Sequence, residues 1–600
     1  MFNMKLVKML LFLLWGVAVS AQPLASLNDS QRGVQRKLRY TPDGEDFVIV
    51  NGDKKFNRAL YGAHTGFRVE TGDVPEFALY LPRMGGNLSF GIVRDSKTLS
   101  LNKASYIESR YRAGSRIYTI KDPVLGKGFI RITVLSMYGA DGAVFKIETN
   151  NLPGNTFLTW RFGGAADKRF SREGDLGVDP YDSFDLKPEY CAGNVYSIDR
   201  NSFTLKFGKK EPRQLKGIFP LDAKLNVTTD LPVLDGKLSV AGGKTYYMAL
   251  QSSNLDKSLD YPALADCFAK SEAARVQLAS RIKINTPDPY FNTLGPTLAV
   301  AADGIWSGEV WLHGAIGWRM PLSGWRAAYT GDALGWHDRA RSHFDAYAAS
   351  QVTNVPAVYP HPTQDTAMNL ARSEKKWGTQ MYSNGYICRN PRENNKMHHY
   401  DMNLCYIDEL LWHFNWTGDL AYAKQMWPVI TRHLAWEKRN FDPDNDGLYD
   451  AYCCIWASDA LYYNSGAVTH SSAYNYRANN MAAEIAAKIG EDPKPYADEA
   501  KKILNALNAR LWIPSKGHWA EFQDFMGKKK LHESAAVWTI YHAIDSDIHN
   551  PFQGYQATRY VDTEIPHIPV VAKGLKDEGY ATVSTTNWLP YSWSINNVAF

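Results

Sequence analysis

Residues 262–282 read PALADCFAKSEAARVQLASRI, and the apolar pattern of the chain changes across this stretch. Leu264, Phe268 and Leu278 recur at helical spacing among charged residues, which predicts a linker helix over 261–286. Short alternating apolar segments precede it and favour β-strands. After Asp288 the apolar residues recur at helical spacing. The sequence therefore predicts a β-domain, a connecting helix and an α-helical domain.

The β-domain is predicted over residues 22–260. Apolar and polar residues alternate, for example in Phe129–Val134 and Thr245–Leu250, and turn residues such as Asn51-Gly52-Asp53 separate the segments. Many short strands divided by turns are typical of an antiparallel β-sandwich.

The α-helical domain is predicted over residues 287–600. Apolar stripes predict helices over 290–302, 332–351, 401–416, 419–440, 472–489, 492–512, 531–544 and 551–560. Trp, Tyr, His, Asn and Asp crowd the connecting loops, as in 306–325 and 452–476. Helices with polar aromatic loops at one end indicate a toroid whose loops form a cleft. Aromatic faces beside polar side chains suit sugar rings, so we expect a carbohydrate partner.

Composition and charge exclude several functional classes. The 600 residues are 22% charged, and a net charge of +5 is spread along the chain without a basic block, unlike a nucleic-acid binder. The chain has no nucleophile elbow, glycine-rich phosphate loop or His-Glu-x-x-His motif. Acyl transfer, phosphate chemistry and zinc proteolysis are therefore disfavoured.

The N-terminus has the layout of a secretory signal peptide. Lys5 and Lys8 precede the apolar run 9–19, and Val19-Ser20-Ala21 offers a cleavage site. The apolar run is too short to cross a bilayer. We expect residues 1–21 to be removed, leaving an exported periplasmic or secreted protein without a membrane span.

Six cysteines are too sparse for a disulfide framework, and none has C-x-x-C metal spacing. We expect mostly free, buried thiols. In an exported protein, a Cys388–Cys405 disulfide is the alternative, since it closes a short loop.

The segment from Asp442 to Asp459 has two interpretations. Asp442, Asp444 and Asp446 followed by Gly447 match the start of a calcium loop, but Cys453 stands where a bidentate Glu is needed. The preferred interpretation is an Asx-turn that ends a helix. We expect no required cofactor, with calcium at these three aspartates as the alternative.

The order of a β-sandwich, a connecting helix and a toroid resembles the six-hairpin glycosidases, such as glucoamylase-like enzymes, α-L-rhamnosidases and inverting α-L-fucosidases. Several N-terminal stretches are similar to a bacterial domain family of unknown function that precedes glycosidase-like toroids in exported polysaccharide-degradation proteins: Val50–Gly52, Phe56–Gly62, Gly72–Phe77 and Met84–Leu88. In six-hairpin glycosidases, a stretch similar to Asp444–Leu448 precedes the residue that protonates the glycosidic oxygen. This resemblance implies Asp459 as the general acid.

Glycoside hydrolysis needs a protonated carboxyl group and a second carboxylate. An aromatic pocket favours the protonated form, and Trp456 and Tyr462 lie near Asp459 in sequence. Glu309 and Glu521, also among aromatic residues, are candidates for catalytic contacts; Asp401 is interpreted as a helix N-cap. The candidate substrate-binding residues are Trp318, Arg319, Trp325, Arg326, His399, Trp456, Tyr462 and His470.

Two other functions stay open. A polysaccharide lyase acting on a uronate-containing glycan could use Tyr462, Tyr463, Asn464 and His470, although the lyase toroids carry their β-domain after the helices. A non-catalytic glycan-binding protein is the other alternative. An inverting glycoside hydrolase that acts on a plant or host polysaccharide or oligosaccharide is preferred over both alternatives.

The number of helices also yields an expectation. By the resemblance, a complete toroid has six hairpins, or twelve helices. Eight are predicted, and a ninth starts at Ser594. We therefore expect the toroid to be incomplete at residue 600, without the last hairpins, where this fold commonly keeps its catalytic base.

Overall fold

The structure is a computed structural model. It describes residues 38–584 except 56–57, 63, 82, 169–180, 211, 253–258, 315–318, 325, 359–363, 366–369, 372–375, 399, 452–465, 525–528 and 570–580. These residues fall into two compact units, which we name the β-unit (Leu38–Leu322 with Ala327–His343) and the helical unit (Ser323–Arg326 with the described part of Phe344–Phe600).

Two antiparallel sheets make up most of the β-unit. Its strands are β1 (Thr41–Asp43), β2 (Asp46–Val50), β3 (Arg58–Tyr61), β4 (Arg68–Thr71), β5 (Glu76–Tyr80), β6 (Met84–Arg94), β7 (Lys97–Ser100), β8 (Tyr106–Arg112), β9 (Ser115–Lys121), β10 (Phe129–Ser136), β11 (Gly142–Asn150), β12 (Thr156–Ala165), β13 (Val195–Asp199), β14 (Ser202–Phe207), β15 (Arg213–Ile218), β16 (Lys224–Val227), β17 (Leu234–Ser239) and β18 (Thr245–Ser252).

The strand orders are β1-β2-β8-β9-β10-β11-β18-β15-β14-β13 in one sheet and β16-β17-β12-β6-β5-β4-β3 in the other, where β7 pairs with β6. The inner faces of the two sheets pack together through aromatic contacts: the ring of Phe77 lies 5.9 Å from that of Tyr118 and 5.1 Å from that of Phe145. Alternation therefore correctly predicts an antiparallel sandwich.

The helices are α1 (Pro188–Cys191), α2 (Leu264–Ala279), α3 (Pro289–Gly304), α4 (Ala327–Ala333), α5 (His337–Ala348), α6 (Asp401–Thr417), α7 (Leu420–Phe441), α8 (Thr469–Ile489), α9 (Lys494–Ala506), α10 (Val537–Asp545) and α11 (Pro551–Thr563). The predicted connecting helix is α2, and its Leu264 is buried with Leu135, Val144 and Ala249 of the larger sheet. In the helical unit, α6/α7, α8/α9 and α10/α11 are joined by short loops, with long connections between the pairs.

Local chemistry explains where these helices begin and end. Gly418 ends α6 in the left-handed conformation at φ 64°, which favours glycine, and the Asp419 side chain caps α7 by accepting from the Tyr422 N–H at 2.9 Å. The helix predicted over 531–544 begins only at Val537. Leu531 and His532 are instead a strand that pairs with Gln523 and Phe522.

Short strands accompany the helices: β19 (Gln364–Asp365), β20 (Leu370–Ala371), β21 (Asp450–Ala451), β22 (Gly466–Val468), β23 (Trp512–Ile513), β24 (His518–Trp519), β25 (Phe522–Asp524), β26 (Leu531–His532), β27 (His567–Pro569) and β28 (Ala581–Val583). Four of them form a sheet in the order β21-β22-β25-β26. We name it the small sheet. Among the described residues, no helix is long and apolar enough to cross a membrane.

The four described cysteines, Cys191, Cys267, Cys388 and Cys405, are free, as predicted, so the alternative Cys388–Cys405 disulfide is absent. Burial raises the pKa of Cys388 to about 11 and that of Cys405 further, which keeps both thiols protonated and unreactive. Cys453 and Cys454 lie outside the described residues.

Candidate functional site

The small sheet of the helical unit leads into the N-terminal end of α8. Strand β22 runs directly into α8, and the Thr469 N–H at the start of α8 donates to the Glu521 carbonyl at 3.2 Å. Ala451 pairs with Gly466 across β21 and β22. Residues 452–465, which contain the predicted general acid Asp459, therefore begin and end at this pair.

Two of the helix starts meet through an acid and a histidine. Oδ1 of Asp401, the first residue of α6, lies 3.6 Å from Nε2 of His470 on α8, and both side chains are fully buried. The His470 ring centroid lies 5.9 Å from that of His542 on α10. The predicted binding residue His470 thus belongs to a polar cluster between α6, α8 and α10.

Arg326 joins this cluster from the segment Ser323–Arg326. Its Nη2 lies 3.2 Å from the Tyr474 hydroxyl and 3.1 Å from Nδ1 of His542, and its guanidinium lies 4.8 Å from the centroid of the exposed Tyr541 ring. Burial and Arg326 lower the pKa of His542 well below its usual range, so its imidazole is neutral and accepts from the guanidinium. Arg326 has a backbone φ of 67°, a conformation uncommon outside glycine and frequent at functional sites.

Glu521 lies fully buried beside the same cluster. Its Oε2 accepts hydrogen bonds from the Ala536 N–H at 2.8 Å and the Thr539 hydroxyl at 2.7 Å. Ala536 is the N-cap residue of α10 and Thr539 lies in its first turn, so Glu521 caps that helix. Its predicted catalytic contact stays a prediction.

The structure reveals a buried acid that sequence reasoning missed. Oε2 of Glu437 on α7 accepts from the Tyr400 hydroxyl at 2.7 Å and from Nδ2 of Asn475 at 2.9 Å. Burial raises the pKa of Glu437 to about 8, against the opposing effect of these two hydrogen bonds. The sequence signal was its position: Glu437 falls on the buried stripe of α7, three residues after Leu434 and four before Phe441.

We expect Glu437 to make stability pH-dependent. Its carboxyl keeps its proton up to about pH 8 in the folded chain but loses it near 4.5, its ordinary value, in the unfolded chain. Unfolding then releases a proton, so stability falls as the pH rises from 4.5 to 8, by up to about 1.4 kcal/mol per pH unit. Glu437→Gln mimics the protonated form and should flatten this decline, measured as melting temperature from pH 5 to 8.5.

A matched control for Glu437→Gln is Glu484→Gln, which changes an exposed glutamate on α8. A plot of its melting temperature against pH should stay parallel to that of the unaltered chain. If the plot for Glu437→Gln also stayed parallel, the Glu437 carboxyl would titrate at its ordinary value.

The Asp442 loop forms the Asx-turn that the sequence predicts. Oδ1 of Asp446 accepts from the Leu448 N–H, two residues on, at 2.9 Å, and Gly447 between them has a φ of 85°. Oδ1 of Asp442 accepts from the Asp446 N–H at 2.9 Å and the Gly447 N–H at 3.4 Å. Asp442 is ion-paired with Lys438, and Asp446 with Arg510. Calcium binding at these aspartates stays a prediction.

Two predicted site residues lie in the β-unit. Arg319 donates to the Gly304 carbonyl at 2.5 Å and the Trp306 carbonyl at 3.5 Å, contacts that cap the C-terminal end of α3. The half-buried Glu309 accepts from the Ser342 hydroxyl at its carbonyl, at 2.8 Å. Asp459, Trp318, Trp325, His399, Trp456 and Tyr462 lie outside the described residues.

Comparison with sequence families matches one part of the chain. Residues 81–272 match a domain of unknown function, DUF4450. No curated protein matches the chain significantly.

Solved structures match the chain at low sequence identity. A bacterial glucoamylase complexed with acarbose matches with a TM-score of 0.51 and 9% identity, over 90% of this chain and 84% of that one. A GH78 rhamnosidase of Bacillus sp. GL1 has a TM-score of 0.40 and 12% identity; 76% of this chain aligns, which spans 39% of the rhamnosidase. A putative kojibiose phosphorylase from the human microbiome has a TM-score of 0.41 and 9% identity, over 81% of this chain and 73% of that one. The likeness to glucoamylase confirms the predicted fold class, with N-terminal antiparallel sheets followed by an (α/α)6-type helical region.

Proposed function

We propose that this protein is an exported glycoside hydrolase that acts on a plant or host polysaccharide or oligosaccharide with inversion. The observation that carries the proposal is the position of the small sheet in a glucoamylase-like fold. The pair Ala451–Gly466 brackets the segment of Asp459, and the same sheet leads to Glu521 and to the starts of α8 and α10.

In this proposal, Asp459 protonates the glycosidic oxygen and a second carboxylate activates water. Glu309 and Glu521 are the candidates for the second role. Glu521 already caps α10, so a loss of activity in its variants has to be separated from a loss of folding. Arg326 and Tyr541 offer a guanidinium beside an aromatic face, a pair that suits a sugar with hydroxyl groups or a carboxylate.

A polysaccharide lyase is the second candidate, favoured by the contacts of Arg326. Its guanidinium lies within 3.2 Å of Tyr474 and of the neutral His542, and these residue types could neutralise a uronate and abstract its neighbouring proton. The hydrolase is preferred because the fold likeness is to a glucoamylase complexed with acarbose.

A product screen on plant and host glycans by mass spectrometry tests the proposal. A hydrolase releases fragments that gain one water per broken bond. A lyase releases unsaturated uronates that absorb ultraviolet light. Retention of labelled oligosaccharides without any product would support the glycan-binding alternative and contradict both enzyme proposals.

A further inference from the structure

The loop after α7 brings several carboxylates together. Oxygens of Asp442, Asp444 and Asp446 all lie within 4.8 Å of one another. Lys438 and Arg510 each pair with one of these side chains, whereas Asp444 is exposed and has no ion pair among the described residues. An ionised carboxylate has about four lone-pair sites, so these hydrogen bonds and ion pairs leave room for a metal ion.

Asp450 provides a second and independent observation. Its side chain is only 8% exposed, yet no described residue forms a hydrogen bond or ion pair with its carboxyl group. The neighbours that act on it electrostatically are Asp444, Asp446 and Asp442, together with Lys529. A buried carboxylate is costly without a donor or a cation. The charges of the three neighbouring carboxylates disfavour its ionised form, and a cation bound in this loop would favour it.

We propose that Asp442, Asp444 and Asp446 bind one Ca²⁺ ion directly and that Asp450 binds it through water. These residues occupy positions 1, 3, 5 and 9 of the loop, the spacing at which side chains of calcium loops supply oxygens, position 9 often through water. The donors are all oxygens, which excludes a preference for zinc or copper. Calcium tolerates an irregular set of six to eight oxygens, whereas Mg²⁺ demands near-ideal octahedral geometry.

The ion would act on the neighbouring strand pair. Asp450 is the first residue of β21, and the next residue, Ala451, pairs with Gly466. Calcium therefore stabilises the pair that brackets residues 452–465. An effect of the ion on catalysis rests on the proposed function, because it requires Asp459 to be the general acid. Binding of the ion is independent of the proposed function.

Calorimetric titration of the chelator-treated full chain with CaCl2 tests the site. We expect one ion per chain with a dissociation constant between about 10⁻⁷ and 10⁻³ M. We also expect a higher melting temperature in Ca²⁺ than in Mg²⁺ at the same concentration. Asp450→Asn and Asp444→Asn should each weaken binding at least about tenfold, because each removes a charge from the site. Asp444 is exposed, so its variant keeps the test valid if Asp450→Asn fails to fold.

Asp498→Asn is the matched control, because Asp498 is an exposed aspartate paired with Lys494 on α9, at 2.5 Å. Its affinity for Ca²⁺ should equal that of the unaltered chain. The proposal is overturned if the unaltered chain takes up no Ca²⁺ at millimolar concentration, or if both Asp450→Asn and Asp444→Asn bind as tightly as the control. Because binding is measured without a glycan, a failed glycosidase assay leaves this test intact.

Discussion

Replacing Asp459 by Asn is expected to lower kcat on the cleaved glycan by about 10²–10⁴-fold while the melting temperature stays unchanged. Asn has the shape of Asp but no proton to give to the glycosidic oxygen, so the leaving group departs unprotonated. Steady-state kinetics on the substrate found by the product screen measures the loss, and thermal unfolding monitors the fold.

Ser458→Ala serves as the control, since it changes the preceding residue without removing a carboxyl group. Full activity of Asp459→Asn would eliminate this residue as the acid. Glu309→Gln and Glu521→Gln, assayed in the same way, identify the second carboxylate as the one whose loss lowers kcat without lowering the melting temperature.

Replacing Arg477 by Met is expected to destabilise the helical unit by about 3–5 kcal/mol. Nε and Nη2 of Arg477 on α8 hold both oxygens of Asp408 on α6, at 2.6 and 2.7 Å, and Nη1 lies 2.8 Å from Asp545 at the end of α10. Arg477 is 6% exposed and Asp408 only 1%. Burial already raises the pKa of Asp408 to about 6 against the pull of Arg477. Without Arg477, the buried Asp408 carboxyl loses both of these charged hydrogen bonds.

Denaturant unfolding of Arg477→Met measures this loss. The double variant Arg477→Met, Asp408→Leu should regain part of the lost free energy of unfolding, because it also removes the buried carboxyl of Asp408. Lys494→Met breaks the exposed pair with Asp498 and should cost no more than about 1 kcal/mol. If Arg477→Met lowers the free energy of unfolding by as little as Lys494→Met does, the buried pair has no stabilising role.

Part of this arrangement could be predicted from local patterns. The change of apolar spacing around residues 262–282 predicts where sheet gives way to helix, and α2 begins at Leu264 within that stretch. Cap residues place other boundaries well, for example Asp419 before α7. The prediction for 531–544 failed at its start, because pairing of His532 with Phe522 outweighs the local preference for helix.

The candidate site was predicted only in part. Arg326 and His470 were named from their residue types, and the structure places both next to His542, which the sequence did not single out. Glu437 was also missed, because a glutamate within a helix is usually solvated and only its neighbours make it buried.

The sequence by itself determined the class and order of the secondary structure, because apolar periodicity is a local property that each segment carries. Only the tertiary structure decided which polar side chains meet. Arg326 lies 148 residues from Tyr474 and 216 from His542, and Asp408 lies 69 residues from Arg477. Such partners are selected by the packing of whole helices, which excludes water and leaves each buried charge or polar group dependent on the few donors and acceptors that packing brings to it.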